Sequence, residues 1–270
     1  MSSKLSRKSF LKVSALGATG AAFTVNPLMA ATNSVAQGSA RKTAASDMVN
    51  IALIGCGAQG PGVARSFMGL EDARCIAGCD VYGLKRDKFT QTVSDYYAEK
   101  GVNNKGFKMY ENFEDLMLNK DVDAVVIATP NHWHSLMGIW ACQAGKDAYV
   151  EKPVSHNISE GRKLVEAERK YNRILQTGTQ SRSDKGIAEA IEYINGGNIG
   201  KRLISRGFCY KRRASIGKVD GPQKIPETVN YDLWTGPAPL TPLMRKSLHY
   251  DWHWVWPTGN GDLGNQGIHQ

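Results

Sequence analysis

The chain has 270 residues, a net charge of +9 at neutral pH and 41% hydrophobic residues. This length allows one or two domains with a substantial core, and the composition is that of an ordinary globular protein. The charge does not indicate nucleic-acid binding, because six basic and no acidic residues lie in the first 45 positions and no basic stripe interleaved with aromatic residues follows.

The first 46 residues are predicted to be an export signal and linker, separate from the fold. Ser6 to Lys12 resembles the twin-arginine export signal, with Lys8 in place of the second arginine, and a mildly apolar stretch over 13–25 follows. Small residues at 28–30 offer a cleavage site. The stretch is too short and too rich in small polar residues to favour a stable membrane span. We predict a periplasmic or otherwise exported protein that uses the export machinery; a disordered basic tail or a membrane anchor is the alternative.

Strand and helix patterns alternate from residue 48 to about 178. The predicted strands are 49–54, 74–79, 123–128, 147–150 and 173–177. The predicted helices between them are 60–70, 86–99, 111–119, 133–144 and 158–171. Such alternation predicts an α/β fold with a doubly wound parallel sheet, here a Rossmann domain over 47–180.

The pattern changes after residue 180. A helix is predicted over 183–195, followed by a long strand over 201–212 with alternating polarity and then an irregular segment, 213–262, rich in Pro, Gly and Trp. We interpret 181–270 as the start of a second domain. Its tryptophans could pack in a core or stack on sugar faces as a substrate wall, and the sequence favours neither; they are Trp234, Trp252, Trp254 and Trp256.

The first strand ends directly in the pattern G-x-G-x-x-G, formed by Gly55, Gly57 and Gly60, with Ala58 and Gln59 inside it. In a dinucleotide site the first glycine permits a tight turn, the second lets the backbone approach the pyrophosphate, and the third lets the helix pack on the strand. Amide groups at the helix start would then face the phosphates. The plain alternative is a structural turn between a strand and a helix.

Asp80 follows at the end of the second strand, where a carboxylate would accept hydrogen bonds from the ribose hydroxyls. A carboxylate there repels a 2′-phosphate, so NAD is the predicted cofactor. Lys85 and Arg86 are close enough in the sequence to leave NADP open.

Three further segments follow the later strands: Thr129-Pro130-Asn131, Glu151-Lys152-Pro153 and Gly178-Thr179-Gln180. Because ligands of open parallel sheets bind at the carboxyl ends of the strands, all of these residues are expected at one edge. The five cysteines include no C-x-x-C pair and no zinc-type spacing with histidine, so we predict no metal site and interpret all five as buried apolar residues.

Four segments together resemble the glucose–fructose oxidoreductase / inositol dehydrogenase / MocA-like family. They are the glycine turn at 55–60, T-P-N-H-W-H at 129–134, A-G-K-D-A-Y-V-E-K-P at 144–153 and G-D-L-G-N-Q-G-I-H at 261–269. The resemblance covers residues 48–270. It implies a Rossmann domain followed by a second α/β domain with a largely antiparallel sheet, and hydride transfer between NAD(P) and a carbinol or carbonyl carbon of a sugar or cyclitol. It also implies a homo-oligomer, and a longer second domain than this chain contains.

The resemblance also implies roles for single residues. Lys152 would lie beside the nicotinamide and hydrogen-bond the reacting oxygen, with a cis peptide bond to Pro153, and His269 would exchange the hydroxyl proton. Asn131, His134 and Glu151 would shape the nicotinamide pocket. The predicted cofactor-binding residues are Gly55, Gly57, Ala58, Gln59, Gly60, Asp80, Thr129, Pro130, Asn131, His134, Glu151, Lys152 and Gln180, and the predicted catalytic residues are Lys152, His269 and Asn265.

The residue types suit this chemistry for physical reasons. A carbinol that loses hydride must also lose a proton, and histidine has a suitable pKa for accepting it, while a lysine ammonium stabilises the developing alkoxide. Asn265 departs from the family, which often has an aspartate at this position, and an amide cannot take a proton. Lys152 as a solvated strand-end residue and His269 as a surface residue are the plain alternatives.

Two further functions therefore stay open. One is an NAD-dependent glycoside-cleaving enzyme, in which transient oxidation of the sugar acidifies a neighbouring C–H bond and permits elimination. The other is a non-catalytic nucleotide-binding module. Net NADH formation with free sugars, release of an aglycone without net NADH, and bound nucleotide without activity distinguish the three.

Overall fold

The computed structural model describes residues 47–210 and 212–269. The predicted export signal and linker, residues 1–46, lie outside the described residues. Within the described part, six strands form one parallel sheet in the order β3-β2-β1-β4-β5-β6, so the chain starts in the centre and winds outwards in both directions. This order confirms the predicted Rossmann architecture.

The elements follow the predicted alternation closely. The strands are β1 Val49–Ile54, β2 Ala73–Cys79, β3 Lys108–Tyr110, β4 Ala124–Ile127, β5 Asp147–Glu151 and β6 Leu175–Gly178. The helices of this domain are α1 Gly60–Met68, α2 Gly83–Glu99, α3 Phe113–Met117, α4 Asn131–Gln143 and α5 Ile158–Tyr171. The short edge strand β3 is the element that the sequence pattern does not predict.

The central strands are buried on both faces because successive side chains point to opposite sides of the sheet. In β1, Ile51 and Leu53 pack with the α1 residue Phe67 on one face. Ala52 and Ile54 of the same strand belong to the core on the other face, which α3 and α4 cover. This two-sided burial explains why β1 and β4 are almost continuously apolar.

The N-termini of the helices differ in whether a side chain caps them, and one that lacks such a cap, that of α1, follows the glycine turn. Asn112 caps α3 and Asn157 caps α5, each accepting a hydrogen bond from a backbone N–H of the first turn. By contrast, α1 begins at Gly60 after Gln59, whose side chain makes no capping hydrogen bond. The amide groups at the start of α1 are therefore left available to another acceptor.

The region after β6 has less regular structure. It contains α6 Lys185–Asn195, α7 Tyr231–Thr235, α8 Gly261–Asn265 and three short 3-10 helices, Gln180–Ser183, Asp251–Trp254 and Gly267–His269. The predicted strand over 201–212 is wrong for the described residues of this stretch, which pair with no other described segment. An alternating pattern gives a strand only where a neighbour accepts its backbone hydrogen bonds. The largely antiparallel sheet implied for this region is likewise absent from the described residues, apart from one isolated bridge between Tyr82 and Val229.

Part of the second region packs on the Rossmann domain and forms a small core of its own there. Trp234, Leu243 and Leu248 are buried in this core, against partly buried Val81 and Tyr82. This contact brings the irregular segment to the edge of the sheet that carries the predicted site. One cysteine also departs from expectation, since Cys209 is half-buried while the other four are buried.

Candidate functional site

A cavity of about 630 Å³ opens at the carboxyl edge of the sheet. It brings together every predicted site residue except Gly60. The predicted residues that line it are Gly55, Gly57, Ala58, Gln59, Asp80, Thr129, Pro130, Asn131, His134, Glu151, Lys152, Gln180, Asn265 and His269. The structure thus places residues that are up to about two hundred positions apart in the sequence around one space, while their individual roles stay predictions.

The three glycines of the turn have three different reasons to lack a side chain. Gly55 has a positive φ of 94°, and a Cβ there would lie 2.5 Å from the carbonyl oxygen of Ala128. A Cβ on Gly60 would lie 2.0 Å from the carbonyl oxygen of Gly55, so Gly60 packs beneath the turn and does not line the cavity. At Gly57 no described atom lies within 4 Å of such a Cβ. The backbone at Gly57 is therefore open to a ligand.

Asp80 ties the glycine turn to the end of β2. Its Oδ2 accepts a hydrogen bond from the Cys56 N–H at 2.7 Å, and its Oδ1 accepts one from the Tyr82 N–H at 2.9 Å. Burial raises the pKa of the carboxyl group, while these two hydrogen bonds oppose that change. Each oxygen keeps a further lone pair, so the carboxylate can shape the turn and still accept a hydrogen bond from a ribose hydroxyl.

His134 joins the loops that follow β4 and β5. Its ring is fully enclosed, with Nδ1 2.6 Å from the Pro153 carbonyl oxygen and Nε2 2.8 Å from the Thr129 carbonyl oxygen. Burial lowers its pKa. Both nitrogens are directed at backbone oxygens, so His134 positions the cavity wall and has no nitrogen left for proton transfer to a ligand. The peptide bond between Lys152 and Pro153 is cis, as the family resemblance implies.

Asn131 connects the Rossmann domain with the second region. It is buried, and its Nδ2 donates to Oδ1 of Asn260 at 3.0 Å. Asn260 in turn donates to the His156 carbonyl oxygen at 2.8 Å. This chain of amides holds the start of α8 against the loop after β5, and α8 carries Asn265.

Glu151 and Lys152 are adjacent in the sequence but serve different parts of the site. Glu151 accepts hydrogen bonds from the Gln180 side chain and, at 3.2 Å, from the Lys152 N–H, and burial raises its pKa. The Lys152 ammonium donates to the backbone carbonyl of Asn265 and lies 3.4 Å from the Asn265 Oδ1. Burial lowers the pKa of Lys152. The amino group is thus held at a fixed point of the cavity wall.

His269 lies on the last 3-10 helix and faces the same cavity. Its Nδ1 is buried and has no hydrogen-bond partner within the described residues. Burial lowers its pKa, and the positive charge of Lys152 lowers it further. The ring is therefore expected to be neutral at pH 7 and able to accept a proton.

The second region supplies a wall that the sequence did not reveal. Tyr82 stacks on His249 with ring centroids 4.6 Å apart, and His253 stacks on Trp252 with centroids 3.6 Å apart. All four rings line the cavity. Besides these, the lining residues not predicted as site residues include Val81, Lys85, Glu111, Asn112, Phe113, Trp133, Met137, Leu233, Trp234 and Tyr250.

The position of His249 and His253 could not be read from the sequence, because the short 3-10 helix at Asp251–Trp254 and the irregular chain before it leave no periodic pattern. The sequence had not decided whether the tryptophans of the second region serve a core or a substrate wall. In the structure Trp234 and Trp252 line the cavity, whereas Trp256 is 88% exposed. Among the described residues, no group of three or more His, Cys, Asp and Glu side chains could hold a metal ion. No helix in the described part of the chain is long and apolar enough to cross a membrane.

Two family models match this sequence and together cover most of it. Residues 49–179 match an oxidoreductase family with an NAD-binding Rossmann fold, and residues 201–270 match the C-terminal alpha/beta domain of the same oxidoreductase family. The chain belongs to the Gfo/Idh/MocA oxidoreductase family.

Two kinds of curated relative illustrate what this family member is similar to. An inositol 2-dehydrogenase from Salmonella paratyphi B is 30% identical over 159 residues, which are 58% of this chain and 44% of the relative. A glycosyl hydrolase family 109 protein from Shewanella sp. (strain ANA-3) is 35% identical over 171 residues, covering 59% of this chain and 36% of the relative. The chain therefore spans less than half the length of the curated relatives it matches. Among solved structures, a myo-inositol 2-dehydrogenase from Lactobacillus plantarum is 26% identical, with a TM-score of 0.48 over 57% of this chain and 43% of that one.

The cofactor of this family member is NAD, and the residues present fit it. Gly57 leaves open space beside the backbone, the start of α1 has uncapped amide groups, and Asp80 lines the cavity beyond them. These three features suit a pyrophosphate and a ribose in turn. The predicted preference for NAD agrees with this arrangement.

Proposed function

We propose that this family member is an NAD-dependent dehydrogenase that acts on a carbinol carbon of a cyclitol or sugar. The observation that carries the proposal is the position of Lys152 and His269 in the same cavity as the dinucleotide features. One group is cationic and the other is a neutral base. Oxidation of a carbinol needs both, because the oxygen must be held and its proton removed.

Bound NAD would supply the hydride acceptor in this reaction. Lys152 would donate a hydrogen bond to the reacting oxygen, and its contacts with Asn265 hold the amino group where it can do so. His269 would accept the hydroxyl proton, since its Nδ1 has no other partner within the described residues. The positive charge of Lys152 and the lowered pKa of His269 support the same division of roles.

Glu151 would set the position of Lys152 from the other side. Its carboxylate accepts from the Lys152 backbone N–H and from Gln180, so it links the end of β5 to the second residue after β6. Buried carboxylates that are hydrogen-bonded in this way are costly to disturb. We therefore assign Glu151 and Gln180 to positioning of the lysine rather than to proton transfer.

A glycoside-cleaving reaction through transient sugar oxidation is the second candidate. The specific observation in its favour is Asn265, an amide where a proton-accepting carboxylate would assist a simple dehydrogenase. The glycosyl hydrolase relative from Shewanella supports it as well, at higher identity than the inositol dehydrogenase. A cofactor that is reduced and reoxidised within one turnover would also suit an exported enzyme.

The test is to incubate the purified protein with NAD⁺ and two panels of compounds, free cyclitols and sugars on one side and aryl glycosides on the other. NADH formation with a free carbinol supports the dehydrogenase. Release of the aglycone without net NADH selects the glycoside-cleaving reaction. Lys152→Met should abolish either activity, whereas Lys163→Gln on the exposed face of α5 is the matched control. Bound NAD with no activity on either panel contradicts both and favours a non-catalytic nucleotide-binding module.

We also propose that the protein is exported to the periplasm by the twin-arginine machinery and acts there as a homo-oligomer. The basic segment at 4–12, with its single arginine–lysine pair, supports export. Fractionation of cells that express the whole protein, followed by light scattering on the purified product, tests both points. A cytoplasmic or monomeric product would contradict them.

A further inference from the structure

A second carboxylate lies near Asp80 at the ribose end of the cavity. Glu111 follows β3, the edge strand next to β2, and its Oε2 is 3.1 Å from an Nη2 of Arg86. The other terminal nitrogen of Arg86 donates to the Asp80 carbonyl oxygen at 2.7 Å. The guanidinium is thus held between the backbone of one acidic residue and the side chain of another.

The second region fixes this ion pair from outside. Asn230 donates from Nδ2 to Oε1 of Glu111 at 2.9 Å. The same residue donates its backbone N–H to the Val81 carbonyl oxygen at 3.0 Å. Both oxygens of Glu111 therefore have partners, and the residue that supplies one of them is itself anchored beside Asp80.

The three charged side chains near Asp80 differ in their relation to the cavity. Lys85 and Glu111 line it, as Asp80 does, whereas Arg86 is absent from the described residues that line it. Arg86 is only 22% exposed, so its position is set by packing and by its partners. Of the two cations that the sequence left as ligands for a 2′-phosphate, Arg86 thus lies outside the lining of the cavity and Lys85 belongs to it.

We propose that Glu111, held in place by Asn230, makes this site selective for NAD over NADP. It does so by keeping Arg86 in an ion pair outside the lining of the cavity, where the guanidinium cannot bind a 2′-phosphate. The planar guanidinium is the side chain best suited to a phosphate monoester, because it donates two parallel hydrogen bonds. While the Glu111 carboxylate holds the Arg86 guanidinium, a 2′-phosphate meets two carboxylates and the single ammonium of Lys85, with no free arginine. This inference concerns binding of the cofactor and does not depend on the reaction proposed above.

The experiment is a titration of the purified protein with NAD⁺ and, separately, with NADP⁺. Calorimetry or intrinsic fluorescence gives the two dissociation constants, and their ratio is the preference for NAD⁺. Glu111→Gln keeps the side-chain shape and a possible contact with Asn230 but removes the charge that holds Arg86. We expect the preference for NAD⁺ to fall about tenfold, since one hydrogen bond to a charged group is worth that much. Glu114→Gln, on the exposed first turn of α3, should leave the preference unchanged.

Two further variants separate the parts of the inference. Arg86→Leu combined with Glu111→Gln should return most of the lost preference, because the freed cation is then gone. Arg86→Leu alone should not weaken the preference for NAD⁺. The proposal is overturned if Glu111→Gln keeps the wild-type ratio, if the double variant keeps the full change, or if a folded Glu111→Gln protein no longer binds NAD⁺. Thermal unfolding of each variant establishes that it is folded.

Discussion

Gly60→Ala should lower the stability of the protein, whereas Gly57→Ala should weaken its binding of NAD⁺, although both positions belong to the same turn. At Gly60 the added Cβ would lie 2.0 Å from the Gly55 carbonyl oxygen, which is backbone and cannot rotate away. Forcing such a contact into a packed region typically costs about 1–3 kcal/mol. For a domain of this size each kcal/mol lowers the unfolding midpoint by about 2–4 °C.

At Gly57 the added methyl group meets no described atom within 4 Å. The stability of Gly57→Ala should therefore stay within about 0.5 kcal/mol of the wild type. Its binding of NAD⁺ should weaken about tenfold or more, because the methyl group stands where the pyrophosphate must approach the backbone and hydrogen bonds to that charged group are lengthened.

Two measurements on each variant make the comparison: the thermal unfolding midpoint without cofactor, and the dissociation constant of NAD⁺. The reasoning is refuted if Gly57→Ala binds NAD⁺ as the wild type does, or if Gly60→Ala unfolds at the wild-type temperature. Equal losses of stability at both positions would also refute it, since the geometry assigns the loss to only one of them.

The remaining predictions concern single residues of the site. Lys152→Met should reduce kcat by at least about a hundredfold while the dissociation constant of NAD⁺ changes only a few-fold, as steady-state rates and titration would measure. His269 must be neutral to accept a proton and its pKa is lowered, so kcat should fall only as the pH drops below the ordinary histidine value of about 6.5, and a plateau lost already above pH 7 would contradict this assignment. Asp80→Ala leaves the Cys56 and Tyr82 N–H groups without their acceptor and should cost about 1–3 kcal/mol in chemical denaturation even without cofactor; unchanged stability would mean that these bonds are replaced by water.

The dinucleotide half of the site was predictable from the sequence because its determinants are local. A buried strand, three glycines and an acid at the end of the next strand specify a turn whatever the rest of the chain does. Lys152 and His269 could be predicted only through the family resemblance. Nothing in the spacing alone places two residues more than a hundred positions apart beside each other.

The features that the sequence did not predict are those that depend on contacts with segments distant in the chain. The three-residue strand β3 exists because β2 offers it an edge, and so short a segment carries no periodic signal. The opposite error occurred at 201–212, where the alternating pattern is present but no described segment pairs with it. His249 and His253 reach the cavity through irregular chain that is fixed by contacts with Tyr82 and Trp252, and such contacts leave no pattern.

The wall that Tyr82 and His249 form has a consequence for how the protein holds together. One stacked ring comes from the Rossmann domain and the other from the second region, and Asn230 and Thr228 bond to the backbone beside them. A ligand that fills this cavity touches both regions, so its binding energy also opposes their separation. Bound NAD would then stabilise the contact between the two regions. The chain around 228–253 should resist proteolysis far better when the cofactor is bound than when it is absent.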